Sequence, residues 1–329
     1  MTFRTVTMAL ALLPAFFTAA CDDAASDTAV EVEAGVADRA VFAKKALYTD
    51  LTNHYSVQAE VFRQAEPWNA DLMDVMATQP TALWVGDWTG DVAGTVDEAV
   101  SVAGTKLRSF VIYNIPYRDC GNWSAGGAQD VADYADFIQD FADGLNGRSA
   151  IVILEPDGLP LMDCLTADQI DERLDLMADA VDTLTDAGAS VYIDAGDSAW
   201  VPAATIADRL ERANVARAAG FSLNVSHTEY SIDEIGYAYE LRAIVGNDEH
   251  FIIDTGRNGN GPDATHEWCN PLGRATGTKP TLKTGVVPGL DGMLWIKAPG
   301  ESDGSCNGGP IAGAFWPEYA VELGDLGGL

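Results

Sequence analysis

Basic residues are scarce in this chain of 329 residues. Its 19 lysines and arginines stand against 50 aspartates and glutamates, for a formal charge of −31 at pH 7. A surface of that sign repels the phosphates of nucleic acids and anionic lipids, so we expect neither as a partner. A neutral substrate would not be repelled by this excess of negative charge. The acidity is most simply explained as a contribution to solubility, and it says little about chemistry.

Histidine is also scarce. The chain holds His54, His227, His250 and His266. They include no pair at metal-ligand spacing near a predicted strand end, and no cysteine belongs to a C-x-x-C pair. Zinc sites are built from such pairs. The sequence therefore disfavours a metal-dependent hydrolase, and we expect no metal.

The apolar stretch at the N-terminus is too short to cross a bilayer. Residues 1–21, MTFRTVTMALALLPAFFTAAC, carry one basic residue, Arg4, and predict a signal peptide. The closing TAAC resembles a bacterial lipoprotein cleavage site with Cys21 as the acylated residue, although Thr18 replaces the usual leucine and ordinary signal cleavage is the alternative. Residues 22–45 are predicted to form an acidic, disordered tether. We therefore expect an exported protein, either secreted or held as a lipoprotein at the bacterial surface or in the periplasm.

Cysteines are few, and export would place them in an oxidising compartment. Apart from Cys21, an even number remains: Cys120, Cys164, Cys269 and Cys306. Two disulfides are predicted, and sequence alone leaves all three possible pairings of the four cysteines open.

Short apolar runs alternate with helical segments from residue 81 onward. Seven runs have continuous, β-branched cores typical of strands covered on both faces, at 81–86, 106–116, 149–157, 189–196, 219–226, 249–256 and 291–300. Repeated strand–helix units predict a parallel sheet with right-handed crossovers, which can close or nearly close a barrel. We therefore predict a single α/β domain over 46–329, a distorted TIM-like barrel. A doubly wound open sheet is the alternative, but no glycine-rich phosphate loop follows the first run.

Polar side chains stand at the ends of these runs. The run IVILEPDGLP, for example, passes from buried aliphatic residues directly into two carboxylates. The residues at or just beyond the run ends are Tyr113, Asn114, Asp119, Glu155, Asp157, Asp194, Asn224, Asp254, Arg257 and Lys297. The carboxyl ends of parallel barrel strands meet on one face, where such barrels place their active sites. So many polar ends predict a cleft lined with carboxylates rather than a series of turn caps.

Aromatic residues near the same strand ends point to a sugar. Trp84, Tyr113, Trp200 and Trp268 could stack on pyranose rings, although any one of them could also fill the core. Cleavage of a glycosidic bond needs one protonated carboxyl group and a second carboxylate. Asp157 is the candidate acid, since burial and a neighbouring Asp119 would both raise its pKa. Glu301 and Asp303, in the loop after the last strand, can reach the same cleft.

Seven segments in order resemble glycoside hydrolase family 6, the inverting cellulases. They are YNIPYRDC, ILEPDGLP, VYIDAG, LNVS, FIIDTGRNGNGP, WCNPLGRATGTKPT and WIKAPGESDG. The resemblance runs from about Trp84 to the C-terminus. It implies hydrolysis of β-1,4-glucan with inversion, without metal or other cofactor. It also selects the disulfides Cys120–Cys164 and Cys269–Cys306.

The resemblance implies a role for each matching residue. Asp157 corresponds to the general acid, Asp119 to the partner that raises its pKa, and Tyr113 to the residue that distorts the sugar ring. Asp303 aligns with the acid proposed as the base, a role for which a water chain to the Asp119 position is the rival. The implied sugar-binding residues are Trp84, Trp200, Asn224, Trp268, Lys297 and Glu301.

Three positions depart from the family pattern. Asp197 replaces a sugar-contacting histidine of the family, which could cost about one hydrogen bond to the sugar. His227 stands where asparagine is common in the family. A serine that the family carries in the loop after the second strand aligns with either Ser124 or Ala125.

The short loop from Asp303 to Cys306 resembles that of open-cleft bacterial endoglucanases, and we expect internal cleavage by a monomer. An exo-acting cellobiohydrolase and a surface lipoprotein that binds glucan without cutting it are the alternatives.

Overall fold

The computed structural model describes residues 45–285 and 287–329. The predicted signal peptide, Cys21 and all but the last residue of the predicted tether lie outside these residues.

A curved parallel sheet forms the centre of the domain. Its strands, in spatial as well as chain order, are β1 (Leu83–Val85), β2 (Ser109–Ile112), β3 (Ala150–Leu154), β4 (Ala189–Asp194), β5 (Gly220–Leu223), β6 (His250–Asp254) and β7 (Leu290–Leu294). Each strand lies within the apolar run predicted for it or, for β7, overlaps it, and every pair of neighbours is parallel. The prediction of a seven-stranded, TIM-like α/β architecture is confirmed.

Five of the described helices cover the outer face of the sheet, and the first two and the last one pack together in a separate cluster. The described helices are α1 (His54–Phe62), α2 (Pro67–Ala77), α3 (Val92–Ala103), α4 (Val131–Leu145), α5 (Ala167–Asp186), α6 (Ala203–Arg212), α7 (Ser231–Val245) and α8 (Pro317–Leu326). Local chemistry sets their ends. Asp130 caps α4 by accepting the Asp133 amide, and Thr166 forms a capping box with Gln169 at α5. None of the described helices is both long and apolar enough to span a bilayer.

Alternate side chains of the strands enter two separate cores. Phe110 and Ile112 of β2 point outward and pack against α4, whereas Val111 points inward. Ile151 and Ile153 of β3 share that inner core. Because both faces are apolar, the strands read as continuous hydrophobic runs in the sequence.

The barrel closes only weakly between its first and last strands. Thr81, just before β1, forms an isolated parallel bridge with Trp295, just after β7, and the Ala82 amide donates to the Trp295 carbonyl at 3.3 Å. The strands β1 and β7 themselves do not pair. The loops at the carboxyl ends of the strands therefore border a groove, and the functional side chains lie there.

Candidate active site

A cavity of about 370 Å³ opens where the carboxyl ends of the strands meet. Its lining combines carboxylates, histidines and indoles. The residues are Asp119, Asn122, Asp157, Leu161, Asp197, Ala199, Trp200, His227, Thr228, Glu229, His266, Glu267 and Trp268. The volume and the polar lining fit a sugar ring and its hydroxyl groups.

Asp157 lies in a turn directly after β3. Its backbone has a φ of 67°, and its amide donates to Oδ2 of the buried Asp194 at 2.9 Å. The Tyr113 hydroxyl donates to Oδ2 of Asp157 at 3.3 Å. Burial raises the pKa of Asp157 to about 6, with the charge of His227 opposing the rise and that of Asp119 adding to it. A carboxyl with that pKa can donate a proton in weakly acidic solution.

Asp119 lies in the loop after β2, at the edge of the same cavity. Oδ2 of Asp119 accepts the Ser124 amide at 2.7 Å, and burial raises the pKa of the carboxyl group. Arg118, 5% exposed, holds the loop by donating to the Ser124 and Tyr113 carbonyls at 2.8 and 2.7 Å. The disulfide Cys120–Cys164, implied by the resemblance, is present and ties this loop to the one that follows Asp157.

Asp303 lies in the loop after β7 and is only 6% exposed. Its Oδ2 accepts from Arg257 Nη1 at 2.6 Å and from the Asn270 amide at 2.8 Å, while Lys297 Nζ lies 3.8 Å from Oδ1. The second implied disulfide, Cys269–Cys306, is also present and joins the two segments that hold Asp303. A guanidinium and an ammonium group thus both lie beside this carboxyl group.

The sequence matches the model of the glycosyl hydrolases family 6 over residues 42–325. The chain belongs to this family. It is 42% identical to endoglucanase A of Cellulomonas fimi over 259 residues, 77% of this chain and 55% of that protein. It is 44% identical to endoglucanase 1 of Streptomyces halstedii over 260 residues, 75% of this chain and 79% of that one. The chain thus spans about half of the first relative's length.

A solved family 6 structure shares the fold closely. The endoglucanase Cel6 from Mycobacterium tuberculosis superposes with a TM-score of 0.82 and 42% identity, over 88% of this chain and 99% of that one. That structure is a complex with methyl-cellobiosyl-4-deoxy-4-thio-β-D-cellobioside.

Some polar strand ends are structural, although the sequence predicted a cleft lined with carboxylates rather than a series of turn caps. Both oxygens of the fully buried Glu155 accept the Asn114 amide, and one also accepts the Ile115 amide. Asp254 accepts four backbone amides, including that of Lys297 at 2.9 Å. Backbone amides freed at the end of a strand need acceptors, and these two carboxylates supply them.

Asn224, implied by the family 6 resemblance to bind sugar, is also fully buried. Its side-chain Nδ2 donates to the Asp254 carbonyl at 2.9 Å, and its Oδ1 accepts the backbone amide of Glu229 at 2.9 Å. With a φ of 62°, it shapes the turn after β5. This geometry gives Asn224 a positioning role in the turn rather than a place in the lining of the cavity.

The remaining residues implied for sugar binding fall into two groups. Trp200 and Trp268 line the cavity and expose 37% and 44% of their surface. Trp84 lies against the inner core, donates from Nε1 to the Ile296 carbonyl at 3.0 Å, and has Lys297 Nζ 5.2 Å from its ring. Burial raises the pKa of the neighbouring Glu301.

Several cavity residues were not singled out as site residues from the sequence. His266 Nδ1 lies 2.7 Å from Glu229 Oε1, and Glu267 and Asn122 complete the rim. Their signal was weak because they lie in loops without strand-like patterning. Within the described ranges, no group of three or more histidine, cysteine, aspartate or glutamate side chains could hold a metal ion.

Proposed function

We propose that the protein is an endo-acting β-1,4-glucanase that inverts the anomeric configuration, with Asp157 as its general acid. The observation that carries the proposal is a partly buried carboxyl group, its pKa raised to about 6, in a groove that also holds Asp119 and two exposed indoles. Two observations support β-1,4-glucan as the substrate. Relatives of this chain are named endoglucanases, and the M. tuberculosis endoglucanase was solved in complex with a thio-oligosaccharide.

In the proposed reaction Asp157 gives its proton to the glycosidic oxygen as the bond to the anomeric carbon breaks. A water molecule attacks that carbon from the opposite face and loses a proton to a carboxylate, which yields the inverted sugar. Asp119 adds negative charge near the cationic transition state. Tyr113, hydrogen-bonded to Asp157, would favour distortion of the ring at the cleavage point.

The geometry bears on the choice of base. Oδ2 of Asp303 accepts from Arg257 and the Asn270 amide, and Lys297 Nζ lies 3.8 Å from Oδ1, so both oxygens face a cationic side chain. We therefore propose that Asp303 mainly fixes the charge balance of the groove. The water's proton would then leave toward Asp119, whose Oδ2 accepts the Ser124 amide.

Trp200 and Trp268 would supply the stacking surfaces of the groove, and Trp84, Lys297 and Glu301 further contacts with the sugar. Internal cleavage fits the loop from Asp303 to Cys306, which has only Gly304 and Ser305 between them and offers little chain to roof the groove. The two disulfides fit an oxidising compartment, and we propose an exported monomer with Cys21 as a candidate lipid anchor.

The role of Asp157 is tested by Asp157→Ala on amorphous or carboxymethylated cellulose. We expect a loss of at least about 10²-fold in kcat/KM, because the leaving oxygen loses its proton donor, with binding of cello-oligosaccharides retained. Asp163→Ala, a nearby exposed position, is the matched control and should keep its activity. Unchanged turnover by Asp157→Ala would refute the assignment, and a wild-type protein that binds glucan without cutting it would support the binding-protein alternative. A viscosity drop that lags behind the release of reducing ends would indicate exo action.

A further inference from the structure

His227 and Asp197 form a tight pair in the wall of the groove. His227 Nδ1 lies 2.6 Å from Asp197 Oδ2, and Oδ1 of Asp197 accepts the Ala199 amide at 2.7 Å. The Trp200 indole meets the imidazole edge-on, with ring centroids 5.4 Å apart. The carboxylate and the indole together fix the orientation of the imidazole.

The surroundings favour the charged form of His227. Burial lowers the pKa of the imidazole, but the hydrogen bond and charge of Asp197 outweigh burial, and with a contribution from Asp157 they raise the pKa to about 9. Burial alone would raise the pKa of Asp197. The hydrogen bond from His227 outweighs the effect of burial, so the pKa of Asp197 lies below its usual value. In weakly acidic and neutral solution the pair is therefore an imidazolium and a carboxylate.

Other charged groups surround this pair. Those that face His227 or line the same cavity are Asp119, Asp157, Asp194, Glu229, Arg257, His266 and Glu267. Arg257 is paired with Asp303, and His266 with Glu229. Asp194 is buried and accepts the amides of Asp157 and Gly196. For Asp157, the charge of His227 is the strongest influence against the effect of burial.

We propose that the His227–Asp197 pair is a charged positioning element beside Asp157, and that it confines hydrolysis to more acidic solution than the burial of Asp157 alone would. The proposal rests on the assignment of Asp157 as the acid. An imidazolium favours the ionised carboxylate, so it lowers the pKa of Asp157. Because Asp157 must be protonated to act, activity is lost as the pH rises through that pKa. Removing the positive charge should move the alkaline limb of the pH profile upward.

The first test is the pH dependence of kcat/KM for His227→Asn. Asparagine can still donate to Asp197 from a position close to that of Nδ1, but it carries no charge. We expect the alkaline limb to move up by about one pH unit. His250→Asn is the matched control, since His250 forms an equally short 2.6 Å pair with Asp291 of β7. His250 is the first residue of β6, at the end of the strand opposite to the groove, and neither residue lines the cavity. A limb that stays in place in His227→Asn, or moves down, overturns the proposal.

A second measurement does not depend on activity. The histidine rings are titrated by NMR in the wild type and in Asp157→Asn. If the two groups are coupled, loss of the Asp157 charge lowers the pKa of His227 by about half a unit or more. An unmoved His227 pKa would overturn the proposal even if His227→Asn failed to fold. A wild type without hydrolytic activity would refute the proposed function, whereas this titration would still decide the coupling.

Discussion

At the scale of single residues, hydrogen-bond partners distinguish the two carboxylates that follow β3, Glu155 and Asp157. Glu155 and Asp157 are two positions apart, yet Glu155 accepts backbone amides with both carboxylate oxygens, whereas Oδ2 of Asp157 accepts from the Tyr113 hydroxyl. The sequence shows two acids at the end of one strand and cannot show which of them meets backbone amides. That choice depends on the path of the neighbouring loop after β2.

The pKa of Asp157 predicts the pH profile of the enzyme. Burial raises this pKa from its ordinary value to about 6, and only the protonated form can donate to the leaving oxygen. We expect kcat/KM to hold at weakly acidic pH and to fall about tenfold per pH unit above the pKa. Initial rates on a soluble β-glucan between pH 4 and 9 measure this. A decline that begins near pH 4 would mean that the carboxyl group is not shielded from water.

At the scale of elements, the loops after the strands are held by buried acceptors from neighbouring strand ends. Glu155, at the end of β3, fixes the path of the chain after β2, and Asp254, at the end of β6, fixes the chain after β7 and β5. The positions of Tyr113 and Lys297 therefore depend on buried side chains that are not part of the cavity lining. This explains why polar residues occur at so many strand ends.

Glu155→Ala tests this dependence. The change leaves the Asn114 and Ile115 amides without their acceptor in a fully buried place, which should lower the free energy of unfolding by about 2–4 kcal/mol. Thermal or urea unfolding measures the loss. Glu98→Ala, on the exposed side of α3, is the matched control and should change stability by less than about 0.5 kcal/mol. Equal stability of the two variants would contradict the structural role of Glu155.

At the scale of the whole molecule, the sequence predicted the number, direction and approximate position of the strands. Their apolar cores are continuous because helices and the inner core cover both faces, so the pattern is strong. The weak closure between Thr81 and Trp295 could not be predicted, because it depends on the register of residues about 200 positions apart. The pairing of His227 with Asp197 could not be predicted either, because it depends on how the loops after β4 and β5 meet, although both residues stood out as departures from the family 6 pattern.

The stereochemistry of the product tests the central claim most directly. If Asp157 protonates the leaving oxygen while water attacks from the opposite face, the first sugar released from a β-1,4-glucan carries an α anomeric hydroxyl. Proton NMR during the first minutes of turnover, before mutarotation, identifies the anomer. The account predicts the α product. Initial formation of the β product would mean that a carboxylate of the groove attacks the sugar itself, and it would contradict the assignment of an inverting site around Asp157.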